Sequence, residues 1–185
     1  MTRPVQIAGI AIHPFGRFED KTVTDLGVAA VDAALRDAGK PPFQAAFCGT
    51  AYAGVAAGHK VLAALGLTGV PIVDVEAGCA SGGAALMLAA GAIRARQYDC
   101  ALVFGIEKMP RGIIRSSFFE PWREEAGLAA TPAYLSLRAQ RLMRESGVTK
   151  EQLAQVVVKN RAHGVDNPNA MFRGEVTVEQ VLGSR

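Results

Sequence analysis

The chain has 185 residues, 50% hydrophobic, 20% charged and 6% aromatic, with 20 glycines and a formal net charge of +3. This composition excludes a disordered tail and a fibrous repeat, and the length fits one domain or one domain with a subdomain. The charge is small, and no Lys/Arg-rich run or interleaving of basic with aromatic residues occurs, so nucleic acid is not an expected partner.

Three cysteines, Cys48, Cys79 and Cys100, are widely spaced and form no C-x-x-C pair. A disulfide framework or a zinc site is therefore not expected, no metal ligand set is read, and a reducing cytoplasm is the natural setting. Met1-Thr2-Arg3-Pro4 precedes no apolar core of signal-peptide length. Ala77 to Ile93 carries no charge but holds Ser81 and four glycines, and it falls short of a membrane span. It reads as a buried core helix, and no membrane partner is expected.

In chain order, residues 6–12 (QIAGIAI) are short and apolar and predict a strand. Residues 24–38 place Leu26, Ala29, Ala30, Ala33, Ala34 and Ala38 at helical spacing. Thr24 suits the N-cap, Asp25 the first turn and Gly39 the stop. Residues 44–50 predict a second strand, and 59–66 a short helix before the turn Gly66-Leu67-Thr68-Gly69. Residues 71–76 (PIVDVE) predict a strand, 80–96 the apolar helix, and 99–105 (DCALVFG) a strand without alternation. Unalternating strands between helices argue for a largely parallel sheet covered on both faces. Residues 84–93, AALMLAAGAI, have no polar face, as expected of a helix buried on all sides. Such a helix belongs between two sheets, so the complete molecule is expected to hold more than one.

Beyond residue 107 the texture changes. Residues 108–131 have no clean period, contain Trp122 and read as an elaborated loop. Helices are expected over 132–146, 149–164 and 177–182. The last two open on capping-box patterns, Thr149 with Gln152 and Thr177 with Gln180. Residues 1–105 balance 8 basic against 8 acidic side chains, and residues 106–185 hold 12 basic and 9 acidic ones. The reading divides the chain into an α/β core over 1–107 and a loop and helical subdomain over 108–185.

Cys79 is the residue placed for chemistry. It lies between the strand at 71–76 and a glycine-flanked helix start, Glu76-Ala77-Gly78-Cys79-Ala80-Ser81-Gly82-Gly83. A sharp strand-to-helix turn presents a nucleophile at its tip. The N–H groups of a helix start favour an anion such as a thiolate and serve as oxyanion donors. A buried structural cysteine is the other reading, and spacing leaves the two level. Cys48 and Cys100, inside predicted strands, read as core. His13, His59 and His163 each have the chemistry of a base for Cys79, although a surface or capping side chain is the commoner role for each. Glu76 suits hydrogen bonding to the turn, because a carboxylate beside a thiolate opposes it. Arg111, Arg115, Arg138, Arg141, Arg144, Lys159, Arg161 and Arg173 meet either an anionic ligand or water. Gly49-Thr-Ala-Tyr-Ala-Gly54 is no phosphate loop, since no Gly-Lys-Ser/Thr follows.

The run VEAGCASGGAALMLAAGAIRARQYDCALVFGIEKM (75–109) resembles the nucleophile segment of the thiolase family. Its closest likeness is to the branch with sterol-carrier-protein-x thiolases and archaeal acetyl-CoA acetyltransferases. IAGIAIHPFGRF (7–18), GHKVLAALGLTGVP (58–71) and NPNAMFRGEVTVEQVLGS (167–184) extend the resemblance over nearly the whole chain. It implies a layered αβαβα fold of two similar halves, of which this chain carries an incomplete first half. It implies coenzyme A thioesters as substrates, no permanently bound cofactor, and Cys79 as the residue that takes up the acyl group.

The family's catalytic histidine and second cysteine belong to a second half whose motifs do not occur here, and His13, His59 and His163 do not match that histidine. The chain is therefore expected to be a fragment, a truncated product or one part of a split enzyme, without turnover of its own. Its expected partners are acyl-CoA, a second copy or a complementary C-terminal half, and a small OB-fold protein. A retro-aldolase of sterol side-chain CoA esters, and a non-catalytic remnant, are the alternatives.

Overall fold

The computed structural model describes residues 3–109 and 120–184. They fall into two units, residues 1–109 and 110–185. The first is an α/β unit: α1 (Val23–Asp37), β1 (Ala45–Gly49), α2 (Ala57–Ala64), β2 (Ile72–Val75), a 3-10 turn (Gly78–Ala80), α3 (Ser81–Arg94) and β3 (Ala101–Gly105). The strands lie in the order β2-β1-β3. Both pairings are parallel, with Gly49 opposite Val75 and Gly105. The sheet, expected to be largely parallel, is parallel throughout its described strands.

The chain leaves β1 for the neighbouring β2 and then returns across β1 to β3. Right-handed crossovers in opposite directions must lie on opposite faces of the sheet. Accordingly, α1 and α2 cover one face and α3 the other. Val31, Ala46, Cys48, Val61, Leu62, Leu102, Phe104 and Ile106 form the larger core. Ala45, Phe47, Ala85 and Ala89 form the smaller one beneath α3. Every residue of β1 is buried, which is why its sequence shows no alternation.

The predicted elements of this unit recur with shifted ends, except the first. Residues 6–12 form no strand, and Ile7, Ile10 and Ile12 are exposed. The segment is held from its sides: Arg3 pairs with Asp99 at 2.6 Å and the Ile10 N–H donates to Asp37 Oδ2 at 2.8 Å. The first helix is capped by Thr22 rather than Thr24. Thr22 and Asp25 form a reciprocal capping box, and Asp25 is held below the usual carboxylate range by its bonds to Thr22. Gly39, at φ +75°, follows the helix end as expected. The apolar helix, expected to be buried on all sides, buries Ser81, Ala85 and Ala89 against the sheet. Leu86, Met87 and Leu88 are exposed in this chain.

The second unit is helical: α4 (Pro121–Glu125), α5 (Thr131–Ser146), α6 (Lys150–Val165) and α7 (Val178–Leu182). Helix α4 lies within the segment read as loop, of which residues 110–119 are outside the described residues. Both capping boxes form, Thr149 with Gln152 and Thr177 with Gln180. Glu151 and Glu179 are held below the usual carboxylate range, chiefly by their own backbone N–H groups and then by the Thr149 and Thr177 side chains. The loop before α7 folds back on α6. There Arg161 donates to the Gly174 carbonyl at 3.0 Å and lies over the Phe172 ring. Among the described residues no helix is long and apolar enough to cross a membrane.

Candidate functional site

The turns at the carboxyl ends of the three strands are joined to one another, and the one after β2 carries Cys79. In open parallel sheets this end is the usual place for a ligand, because the strands stop there and the connections diverge. Strand β2 ends at Val75 and the chain turns sharply at Ala77 and Gly78, the latter at φ +56°. A side chain there would strain the backbone, so glycine suits the position. The Gly78 N–H donates to Glu76 Oε1 at 2.6 Å, the turn-bonding role expected of Glu76. Cys79 follows, exposed, in the middle of the 3-10 turn that enters α3. In this chain Cys79 is thus exposed, where the structural reading expects a buried thiol.

Ser81 closes the turn from within. Its hydroxyl accepts from the Ala77 N–H at 2.9 Å and donates to the Gly78 carbonyl at 2.7 Å, and the residue is buried. One side chain thus gives the Ala77 N–H an acceptor and adds a second donor to the Gly78 carbonyl, which also accepts from the Ser81 N–H. The backbone of β1 lies directly against this start of α3. A Cβ at Gly49 would stand 2.7 Å from the Gly82 nitrogen and the Ser81 carbonyl, which only glycine avoids.

Beyond Gly49 the chain is tied to both neighbouring strands. The Thr50 N–H donates to the Val75 carbonyl at 3.1 Å, and the Ile106 N–H to the Gly49 carbonyl at 3.1 Å. Glu107 Oε2 accepts from the Ala51 and Tyr52 N–H groups, both at 2.9 Å, and from the Thr50 hydroxyl at 3.4 Å. Ser81, Thr50, Gly49 and Glu107 escape the sequence reading. Gly49 carries the one local signal, an isolated glycine at a strand end.

The other cysteines and the histidines serve elsewhere. Cys48 is buried between α2 and the sheet. Its thiol is pushed up to about 12 by burial and then by the Asp74 carboxylate, so it stays protonated at neutral pH. Asp74 also accepts from the Gly58 N–H at 2.9 Å, capping α2 from the neighbouring strand, with His59 Nδ1 3.9 Å from its other oxygen. Cys100 is half-buried at the entry to β3, where its N–H donates to Gln44 Oε1. His13 packs edge-on against Phe18, and its Nε2 lies 3.2 Å from Lys21 Nζ. His13 and His59 thus contact groups other than Cys79.

His163 lies in the last turn of α6, in the second unit. Of the basic residues there, Arg138 lies over the Tyr134 ring, Arg141 pairs with Glu145 at 2.9 Å, and Arg144 is 3.9 Å from the same carboxylate. Arg111 and Arg115 are outside the described residues. Among the described residues no group of three or more His, Cys, Asp or Glu side chains is placed to hold a metal.

Residues 5–183 match the family model described as "Thiolase, N-terminal domain". The benzoylsuccinyl-CoA thiolase subunit BbsB of Thauera aromatica is 38% identical, over 100% of this chain and 50% of that protein. An acetyl-CoA acetyltransferase of Methanothermobacter thermautotrophicus is 34% identical, over 98% of this chain and 50% of that protein. Among solved structures, an Ltp2-ChsH2(DUF35) aldolase superposes with a TM-score of 0.78 at 26% identity, covering 97% of this chain and 48% of the other. Human mitochondrial 3-ketoacyl-CoA thiolase shares the fold, with a TM-score of 0.64 at 15% identity over 95% of this chain and 56% of the other. The chain spans about half the length of these curated relatives.

Proposed function

Starting from a chain that belongs to the thiolase family and matches its N-terminal domain, we propose that Cys79 accepts the acyl group of a coenzyme A thioester. The observation that carries the reading is the placement of Cys79, exposed on a braced turn at the start of α3 and at the carboxyl end of a parallel sheet. The thiolate attacks the thioester carbonyl, its new C–S bond forms as the bond to CoA breaks, and CoA leaves as a thiol after taking a proton. One thioester replaces another, so the exchange is close to balanced in energy. The N–H groups of a helix start suit the negative charge that develops on the carbonyl oxygen.

Carbon–carbon bond formation or cleavage also needs a proton moved at the substrate α-carbon. His13 and His59 are engaged elsewhere, and the curated relatives are about twice as long. We assign that step to groups outside this chain, supplied by a complementary half, and we place the protein in the cytoplasm. A second reading, retro-aldol cleavage of a CoA ester with a partner protein, draws support from the likeness to the Ltp2-ChsH2(DUF35) aldolase. An aldolase does not require the acyl-enzyme, so the two readings separate at Cys79. The test is exchange of labelled CoA into acetyl-CoA, which proceeds only through an acyl-enzyme. Exchange that disappears in Cys79→Ala is the expected result. Exchange that persists in Cys79→Ala, or none in the folded wild type, overturns the reading.

A further inference from the structure

We infer that Glu107 is a positioning residue for the Cys79 turn, acting through Thr50; the inference rests on Cys79 being the reacting group. Two residues beyond β3, its carboxylate gathers three donors from one short segment, the Ala51 and Tyr52 N–H groups and the Thr50 hydroxyl. That segment is the exit of β1, the central strand. Thr50 is buried, and its hydroxyl also accepts from the Ala53 N–H at 3.2 Å. Its own N–H holds the Val75 carbonyl, the last residue of β2 and the base of the turn that carries Cys79. Immediately before it, Gly49 lies against the Ser81–Gly82 backbone with no room for a methyl group.

The chain of contacts therefore runs from Glu107 to Thr50, from Thr50 to Val75, and from Gly49 to the first residues of α3. Each link is a hydrogen bond or a backbone contact between residues 25 or more positions apart in sequence. The role of Glu107 is fixed by shape and by its acceptor oxygen. A group that sets the place of a reacting atom by an ångström governs rate without touching substrate.

The test compares the full-length chain with Glu107→Ala and Glu107→Gln by two readouts. The first is amide hydrogen exchange at Ala51–Tyr52 and at Ala77–Cys79. The second is the rate of acetyl uptake at Cys79 from acetyl-CoA, with iodoacetamide alkylation of the same thiol as the reference. In Glu107→Ala, faster exchange spreads from Ala51–Tyr52 to Ala77–Cys79, and acetyl uptake falls on the order of tenfold while alkylation stays within about twofold. Glu107→Gln, which keeps an acceptor oxygen, restores both.

Exchange that quickens only at Ala51–Tyr52 overturns the inference, and so does an equal fall with both reagents. If the wild type takes no acetyl group, the acyl-transfer reading fails, and amide exchange alone decides the role of Glu107. Should Glu107→Ala not fold, Thr50→Val removes the hydroxyl's links to Glu107 and to the Ala53 N–H while leaving the carboxylate in place, and the same spread of exchange to Ala77–Cys79 is expected. Exchange unchanged there overturns the inference.

Discussion

Cys48 and Cys79 show how position decides what a thiol does. Cys48 sits mid-strand with no exposed surface, beside Asp74 on the neighbouring strand. Burial and that carboxylate both oppose its ionisation. In the unfolded chain it titrates near 9, and in the folded chain near 12. The folded form therefore holds the proton more tightly between these values. The stability this contributes is whole below about pH 9 and is lost as pH rises toward about 12. Melting temperature against pH should fall more steeply over that window in the wild type than in Cys48→Ala. Equal slopes would contradict this.

Gly49 gives a second prediction at this scale. A methyl group there meets backbone atoms that cannot rotate away. Gly49→Ala should destabilise the fold by about 1–3 kcal/mol, as overpacking does, measured by denaturant unfolding. It should also slow acylation of Cys79, because the start of α3 must move.

At the scale of elements, period and capping chemistry carried most of the reading. The capping boxes of α6 and α7 were legible because they are contained in four consecutive residues. The turn that carries Cys79 was legible for the same reason: the glycines that shape it are the cysteine's neighbours. Ser81 acts at short range too, yet its hydroxyl has no distinctive spacing. Glu107 and Thr50 are 57 positions apart, and no local pattern reports a bond of that separation. The segment 6–12 marks a different limit. An apolar run reports a tendency to be covered and says nothing of a ladder partner, which no described residue supplies.

Helix α3 follows the same logic. Its sequence is apolar all round, but the three described strands cover one face only. Its open face predicts an effect that separates folding from association. Met87→Glu, at a residue 68% exposed, should change the stability of the chain by no more than about 0.5 kcal/mol. It should nonetheless abolish pairing with a complementary half or a second copy, read by light scattering. Unchanged pairing would place the contact elsewhere.

For the whole molecule, two descriptions agree. The chain spans about half the length of its curated relatives. Its first unit also leaves Leu86, Met87 and Leu88 on α3, with Ile7, Ile10 and Ile12, in contact with solvent. Apolar surface gathered on one element is where protein partners bind. A complementary half, a second copy and a small OB-fold protein remain the proposed occupants. On the proposed reading the labour divides: this chain builds the nucleophile, and residues beyond it move the proton at the substrate carbon.

The most direct test is intact-protein mass spectrometry of the folded chain after incubation with acetyl-CoA, with Cys79→Ala as control. The account predicts one added acetyl group, mapped to Cys79 and absent from the control, without sustained condensation to acetoacetyl-CoA. No adduct on the folded wild type, or an adduct that survives in Cys79→Ala, would contradict it.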